Sequence, residues 1–438
     1  MSTRPWLRFC LWLLALLLGS RSALAGPAIL HWNTQSGTRV YLVRAAELPI
    51  IDIRVVFNAG SARDGATPGI AALTNALLNE GAGGMNADEF ASRMAATGAL
   101  FGSGASRDMA WLSLRSLKDA AKLNPALDLF HQALIAPAFA PDAVARERER
   151  TLAGIRRNDE SPGEIAEQAF YAAIYPNHPY GTPVEGTLAT VAKLDQRVLQ
   201  KFYRDHYVAA NAVIAIVGDI STTEAHQLVE WVLRALPIGT ALPMPPPVAD
   251  LRAPRAIDIK HPSTQTHILL GQPGISRKDP DYFPLVVGNH ILGGGGLVSL
   301  LFDEVREKRG LSYDASSSFL PLAQRGPFIA GLQTAAPQTR EAQEVLRQTM
   351  RDYLERGPTE EQLELAKRNI LGGFPLRIES NAKITEYVAM IGFYELPLDF
   401  LDRYQREVKA LTREAVREAL HRRINVDNMV QVTVGATP

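Results

Sequence analysis

Apolar positions along this chain switch between a spacing of two and a spacing of 3.6, and the switches come in two similar series. Residues 39–43 and 51–58 are rich in β-branched and aromatic side chains, which predicts two strands. A helix over 67–81 follows, with Thr67 at its N-cap, Pro68 at its first position and Gly81 at its end. A second helix is capped by Asn86, with Glu89 at the capping-box position. A strand over 109–116 comes next, then a helix entered at Asn124-Pro125, then a longer one over 143–159. The series ends on a basic amphipathic helix over 195–206 and a strand over 211–218.

The second series has the same parts. A strand over 267–271 leads to a helix over 281–292, the glycine run 293–296 and a helix over 297–308. Strands begin at Ser312 and Pro327, and helices are predicted over 339–356, 359–370 and 384–394. A basic helix over 412–423 and a strand over 428–435 close it, and that strand matches 211–218 at Asn, Val, Val and Gly. Strands grouped with helices, rather than strictly alternating with them, predict an α+β fold of two homologous domains. Each would be a mostly antiparallel sheet with helices packed on one face. A proline-rich stretch, with prolines at 237, 243 and 245–247, reads as a stiff extended linker. The expected division is a targeting segment 1–25, an N-terminal domain 26–236, a linker 237–255 and a C-terminal domain 256–438.

Length and composition narrow the function. At 438 residues the chain is too long for one ordinary core. Lys+Arg and Asp+Glu both number 46, so the basic excess that nucleic-acid binding requires is missing. Arg4 and Arg8 precede an apolar run over 9–18, and Ala23-Leu24-Ala25 forms a small-x-small cleavage signal before Gly26. The run is shorter than the ~20 residues of a membrane span, so the mature form is expected to be exported and free of the membrane. Cys10 is the only cysteine and would leave with the signal, so disulfides and thiolate ligands are not expected.

The candidate chemistry sits on the helix over 67–81, where Ala72 and Ala76 are four apart and share one face. Around it stand Phe57-Asn58-Ala59-Gly60-Ser61-Ala62-Arg63-Asp64, His178-Pro179-Tyr180-Gly181 and the segment 211–219. The second half adds the run 293–301 and Arg306-Glu307-Lys308-Arg309-Gly310-Leu311-Ser312-Tyr313. In this order and spacing, these motifs resemble the insulinase/pitrilysin family of zinc proteases, in its processing-peptidase-like branch, over almost all of the mature chain.

That resemblance implies a clamshell half of a metalloprotease from which the zinc site has been lost. The family's helix carries His-x-x-Glu-His, two imidazole ligands with a carboxylate general base. Here the ligand positions are Ala72 and Ala76, and the base position is Asn75. The third ligand, a Glu in the family, falls at Gly154. The nine histidines contain no pair three or four apart that could replace the site, and His178 reads as a turn or packing residue. The family's C-terminal domain also supplies an Arg and a Tyr seven apart to the opposing active site, and they match Arg306 and Tyr313. A guanidinium and a phenol can hydrogen-bond a peptide carbonyl as charge develops on its oxygen. The stretch 107–115 resembles the edge strand that pairs with extended substrate. The glycine run lacks the Gly-Lys-Ser/Thr of a phosphate loop and reads as a flexible helix entry near a chamber wall.

The resemblance therefore implies a non-catalytic subunit that binds no metal itself. Its partner would be a homologous zinc-bearing subunit, its substrate an unfolded peptide, and its place the periplasm, as for bacterial members. A purely structural scaffold is the alternative, and it predicts that Arg306 and Tyr313 can be lost without effect. A self-sufficient hydrolase is the third reading, and it would need a nucleophile and base assembled by the fold.

Overall fold

The computed structural model describes residues 26–436; the targeting segment lies outside the described residues. The N-terminal half contains strands β1 (Ile29–Asn33), β2 (Arg39–Arg44), β3 (Ile50–Phe57), β4 (Leu100–Ala105), β5 (Ala110–Leu117) and β6 (Ala212–Gly218). Its main helices are α1 (Ile70–Ala76), α2 (Ala87–Thr97), α3 (Ala120–Ile135), α4 (Pro141–Asp159), α5 (Pro162–Ile174), α6 (Gln196–His206) and α7 (Thr222–Leu233). The C-terminal half contains β7 (Arg255–Lys260), β8 (Gln265–Pro273), β9 (Ser312–Phe319), β10 (Pro327–Ala335) and β11 (Val430–Gly435). Its main helices are α8 (Tyr282–Asn289), α9 (Thr339–Arg356), α10 (Glu360–Arg377), α11 (Asn381–Phe393), α12 (Phe400–Ala410) and α13 (Arg413–Arg423).

The two sheets repeat one topology. The first has the order β1-β2-β6-β3-β5-β4 and the second β7-β11-β8-β10-β9. In each, one pair is parallel, β2 with β6 and β7 with β11, while the others run antiparallel. With β1 set aside, the sheets match strand for strand in order and direction, which gives the α+β fold of two homologous halves its physical form.

Each sheet packs one face under its own half's helices, and part of its other face is covered by a helix from the opposite half. On the first sheet Val40, Leu42, Ile53, Val55, Ile214 and Ile216 join the core under the half's own helices. Tyr41, Val43, Val56, Val213, Ala215 and Val217 instead join the core of the C-terminal half. They meet α11, whose Val388, Ile391 and Phe393 are at most 1% exposed. Burying three such side chains stabilises by on the order of 6 kcal/mol. Gly392 permits the approach, because a Cβ there would lie 2.5 Å from the Tyr41 ring. Reciprocally, α5 places Ala166, Phe170 and Ile174 against Val430, Val432 and Val434 of β11.

The linker is a strap bound to both halves. Its carbonyls at Leu242 and Pro243 accept from Asn58 and Arg63, and those at Pro245, Pro246, Val248 and Leu251 accept from Gln324, His178, Arg325 and Asn428. Proline has no N–H to build a ladder, so side-chain donors satisfy these acceptors instead. Asn211 also holds the Leu242 N–H through its Oδ1. The two asparagines that repeat before β6 and β11 therefore both grip the strap.

Several expectations are corrected. Thr67 does not cap α1: the helix starts after Gly69, whose φ of 94° is left-handed. Asn124-Pro125 does not open α3. Asp119 caps that helix by accepting from Ala121 N, and Pro125 lies inside it. The helices over 281–292 and 297–308 break into α8, a π-turn at His290–Gly294, short turns and a second π-turn at Asp303–Glu307. Stretch 107–115 is not a sheet edge: β5 lies between β3 and β4, and β4 forms the edge. The glycine run packs on β9, where a Cβ on Gly293 would meet Ser317 N at 2.4 Å.

Candidate functional site

The vacated face of α1 is built from its first turn. Gly69 reaches its left-handed conformation at low cost because it lacks a Cβ. The buried Asp64 carboxylate then accepts from Gly69 N at 2.7 Å and Ala71 N at 3.0 Å, satisfying N–H groups that a local cap would otherwise take. Burial pushes its carboxyl up to about 7, against the lowering effect of those two N–H groups. Ile70, Ala71, Leu73, Thr74 and Asn75 face the interior, leaving Ala72 and Ala76 on the open side.

All four vacated positions meet there. Ala72, Asn75, Ala76 and Gly154 line one cleft of about 440 Å³, together with Ser103, Gly104 and Ala105 of the edge strand β4. The donor chemistry does not fit a zinc ion: two methyl groups and a glycine offer no lone pair. Asn75 is buried, and its Nδ2 donates to the Trp111 carbonyl and the Tyr207 hydroxyl, both at 3.2 Å. Its amide thus serves the interior and cannot act as a base. Two of the three glutamates that line the cleft are engaged, Glu80 with Arg146 at 2.6 Å and Glu147 with Arg150 at 3.7 Å, and Glu185 is exposed at its rim. Among the described residues, no group of three His, Cys, Asp or Glu side chains could hold a metal ion.

Arg306 and Tyr313 lie together, in a different place. A register shift between Leu332 and Thr334 bulges β9 at its start. The Ser312 hydroxyl holds the bulge: it donates to the Gln333 carbonyl at 2.6 Å and accepts from Asp314 N at 3.2 Å. Tyr313 is turned outward and is 83% exposed. The Arg306 guanidinium lies between two rings, 4.7 Å from Phe302 and 4.6 Å from Tyr313. Such contacts contribute about 0.5–1 kcal/mol at exposed sites, enough to bias the pair toward one geometry. Tyr313 opens onto a cleft of about 480 Å³ that includes His267, Gln333, Ser316 and Ser318. Among the described residues, this cleft and that of α1 share no lining residue.

His178 is the packing residue its surroundings imply. Its Nδ1 accepts from Tyr180 N at 3.1 Å and its Nε2–H donates to the Pro246 carbonyl at 2.8 Å, so both nitrogens are used. Sequence reasoning missed the Asp64 cap and the buried Asp108, whose carboxylate accepts from Tyr180, Ala323 and Tyr394. A single Asp before a Gly-rich turn was the available signal for the first; the second has none, since its members are far apart in sequence.

Comparison with known proteins agrees with this geometry. The family model for insulinase (peptidase family M16) matches residues 39–188, and that for the peptidase M16 inactive domain matches residues 193–370. A solved peptidase M16 inactive domain from Pseudomonas fluorescens is 40% identical, with a TM-score of 0.91, covering 94% of this chain and 98% of that one. The non-peptidase homolog YmxG of Helicobacter pylori is 23% identical over 94% of this chain and 96% of its own length. The periplasmic protease PqqL from Escherichia coli shares the fold at 16% identity and a TM-score of 0.79, with 94% of this chain spanning 46% of that one. The chain belongs to peptidase family M16. Within that family it is of the inactive-domain type, and its α1 cleft carries none of the zinc-binding groups.

Proposed function

We propose that this chain is the non-catalytic subunit of an exported zinc metalloendopeptidase. It closes on a homologous chain that bears the intact zinc motif, and the two halves enclose unfolded peptide. This chain contributes wall surface and the Arg306–Tyr313 pair, whose guanidinium and hydroxyl hydrogen-bond the peptide in the partner's site. The reading is carried by one contrast: the α1 cleft offers no zinc donors at the matched positions, whereas Arg306 and Tyr313 remain paired, with Tyr313 turned outward. A largely exposed tyrosine held by a bulge adds little to its own fold, which favours a role toward another molecule. Length supports the reading, since 94% of this chain spans only 46% of PqqL and a second chain of this size would make up the rest of that length. Export rests on residues 1–25, and the periplasm is the matching compartment.

The test is co-expression of residues 26–438 with a zinc-motif M16 chain from the same organism. Peptide cleavage is then assayed for each chain alone and for the mixture. Cleavage by the mixture only, with co-elution of the two chains, is the expected result. Equal cleavage by the zinc-bearing chain alone would leave this chain a scaffold.

A further inference from the structure

The first described residue is tied to the far end of the fold. The Gly26 N–H donates to an Asp402 carboxylate oxygen on α12, 376 residues away. A Cβ at position 26 would stand 3.1 Å from both that oxygen and Leu401 Cβ, so the approach is tight for any residue but glycine. Three residues on, Ile29 packs against the core that contains Leu401. The start of the N-terminal half therefore rests on the C-terminal half.

We infer that cleavage between Ala25 and Gly26 turns this contact into an ion pair that clasps the two halves. The inference rests on the export reading above. Hydrolysis adds water across the Ala25–Gly26 peptide bond. Ala25 leaves with the new carboxylate, and the Gly26 nitrogen becomes an amine that takes up a proton. An ammonium with three donors then stands where one amide N–H stood, beside the same carboxylate. The contact then gains a Coulombic attraction between opposite charges that a neutral amide beside the same carboxylate lacks. Neighbouring charges on α12 are engaged elsewhere, Arg403 with Glu407 at 3.8 Å and Arg406 with Asp399 at 3.4 Å. His31, the only titratable side chain of residues 26–33, bonds the Val40 carbonyl and stacks on Tyr41. The clasp is complete only in the processed chain.

The experiment begins with N-terminal sequencing of the exported protein, where Gly26 is the expected first residue. The α-amino group of that chain is then titrated by NMR after ¹³C reductive methylation, for the native sequence and for Asp402→Asn. A matched chain retaining Ala25 is the control. The native amine is expected to titrate above the reference value given by Asp402→Asn, by roughly half a unit or more. Asp402→Asn should also lower the melting temperature of the Gly26 chain more than that of the control, and added salt should narrow the difference. Identical titrations of the two Gly26 chains would overturn the clasp and leave export untouched. A first residue other than Gly26 would overturn the cleavage reading, and the clasp with it.

Discussion

Tyr394 donates its hydroxyl to the Asp108 carboxylate at 2.9 Å, across the boundary between the two halves. Asp108 is 1% exposed and also accepts from Tyr180 Oη at 2.5 Å and from Ala323 N at 2.7 Å. Burial, and then the carboxylate itself, push both tyrosine hydroxyls up, so they stay protonated and donate. One N-terminal carboxylate thus gathers donors from both halves. Tyr394→Phe is expected to cost about 2 kcal/mol, as for a hydrogen bond to a charged group. Asp108→Ala strands three donors and should cost at least about 3 kcal/mol. Urea denaturation measures both, and equal small losses would show that the joint is held elsewhere.

Arg306 and Tyr313 allow stability and activity to be separated. Tyr313 is so exposed that Tyr313→Phe should change the stability of the isolated chain by less than about 0.5 kcal/mol. In the mixture with the zinc-bearing chain, Tyr313→Phe and Arg306→Ala should each lower kcat by roughly 10²-fold without loosening the complex. Unchanged kcat with an intact complex would reduce the pair to a relic and favour the scaffold reading.

Patterns that depend on neighbours in sequence were legible, and those that depend on neighbours in space were not. The helix 339–356, the cap at Asn86 and the helix starts at Asp195 and Thr412 stand as the spacing of residues implies. So does the repeated terminal strand, whose β-branched run is read from adjacent residues. The edge strand β4 escaped notice: Leu100-Phe101-Gly102-Ser103-Gly104-Ala105 has too little apolar alternation to read as a strand. Its position moved 107–115 from the edge to the interior. The exchange of α5 and α11 between halves was invisible, since a helix's apolar stripe does not say which sheet will cover it. The four vacated positions could be found only through the resemblance, because two alanines, an asparagine and a glycine carry no metal-site signal.

Those positions now yield a prediction about metal. Ala72 and Ala76 lie a helical turn apart on the rim of the same cleft as Gly154. The triple variant Ala72→His, Ala76→His, Gly154→Glu is therefore expected to bind one zinc per chain, read by metal analysis after dialysis. The unaltered chain should retain none at this cleft. Adding Asn75→Glu should lower stability by about 1–3 kcal/mol, because the Trp111 carbonyl and Tyr207 hydroxyl lose the amide that bonds them. A triple variant that folds normally yet binds no zinc would show that α1 and α4 are set too far apart for a shared ion.

Asp64 makes the vacated helix sensitive to pH. Its carboxyl titrates at about 7 in the folded chain and near ~3.9 when unfolded. Between those values the folded state holds the extra proton, so stability falls as pH rises through that window and levels off above it. The contribution is fully present below about pH 4, and by this shift it is no larger than about 4 kcal/mol. Asp64→Asn removes the titration, so its denaturation midpoint should lose this component of the slope between pH 4 and 7. Native and variant profiles that stay parallel across this range would place the titration on another group.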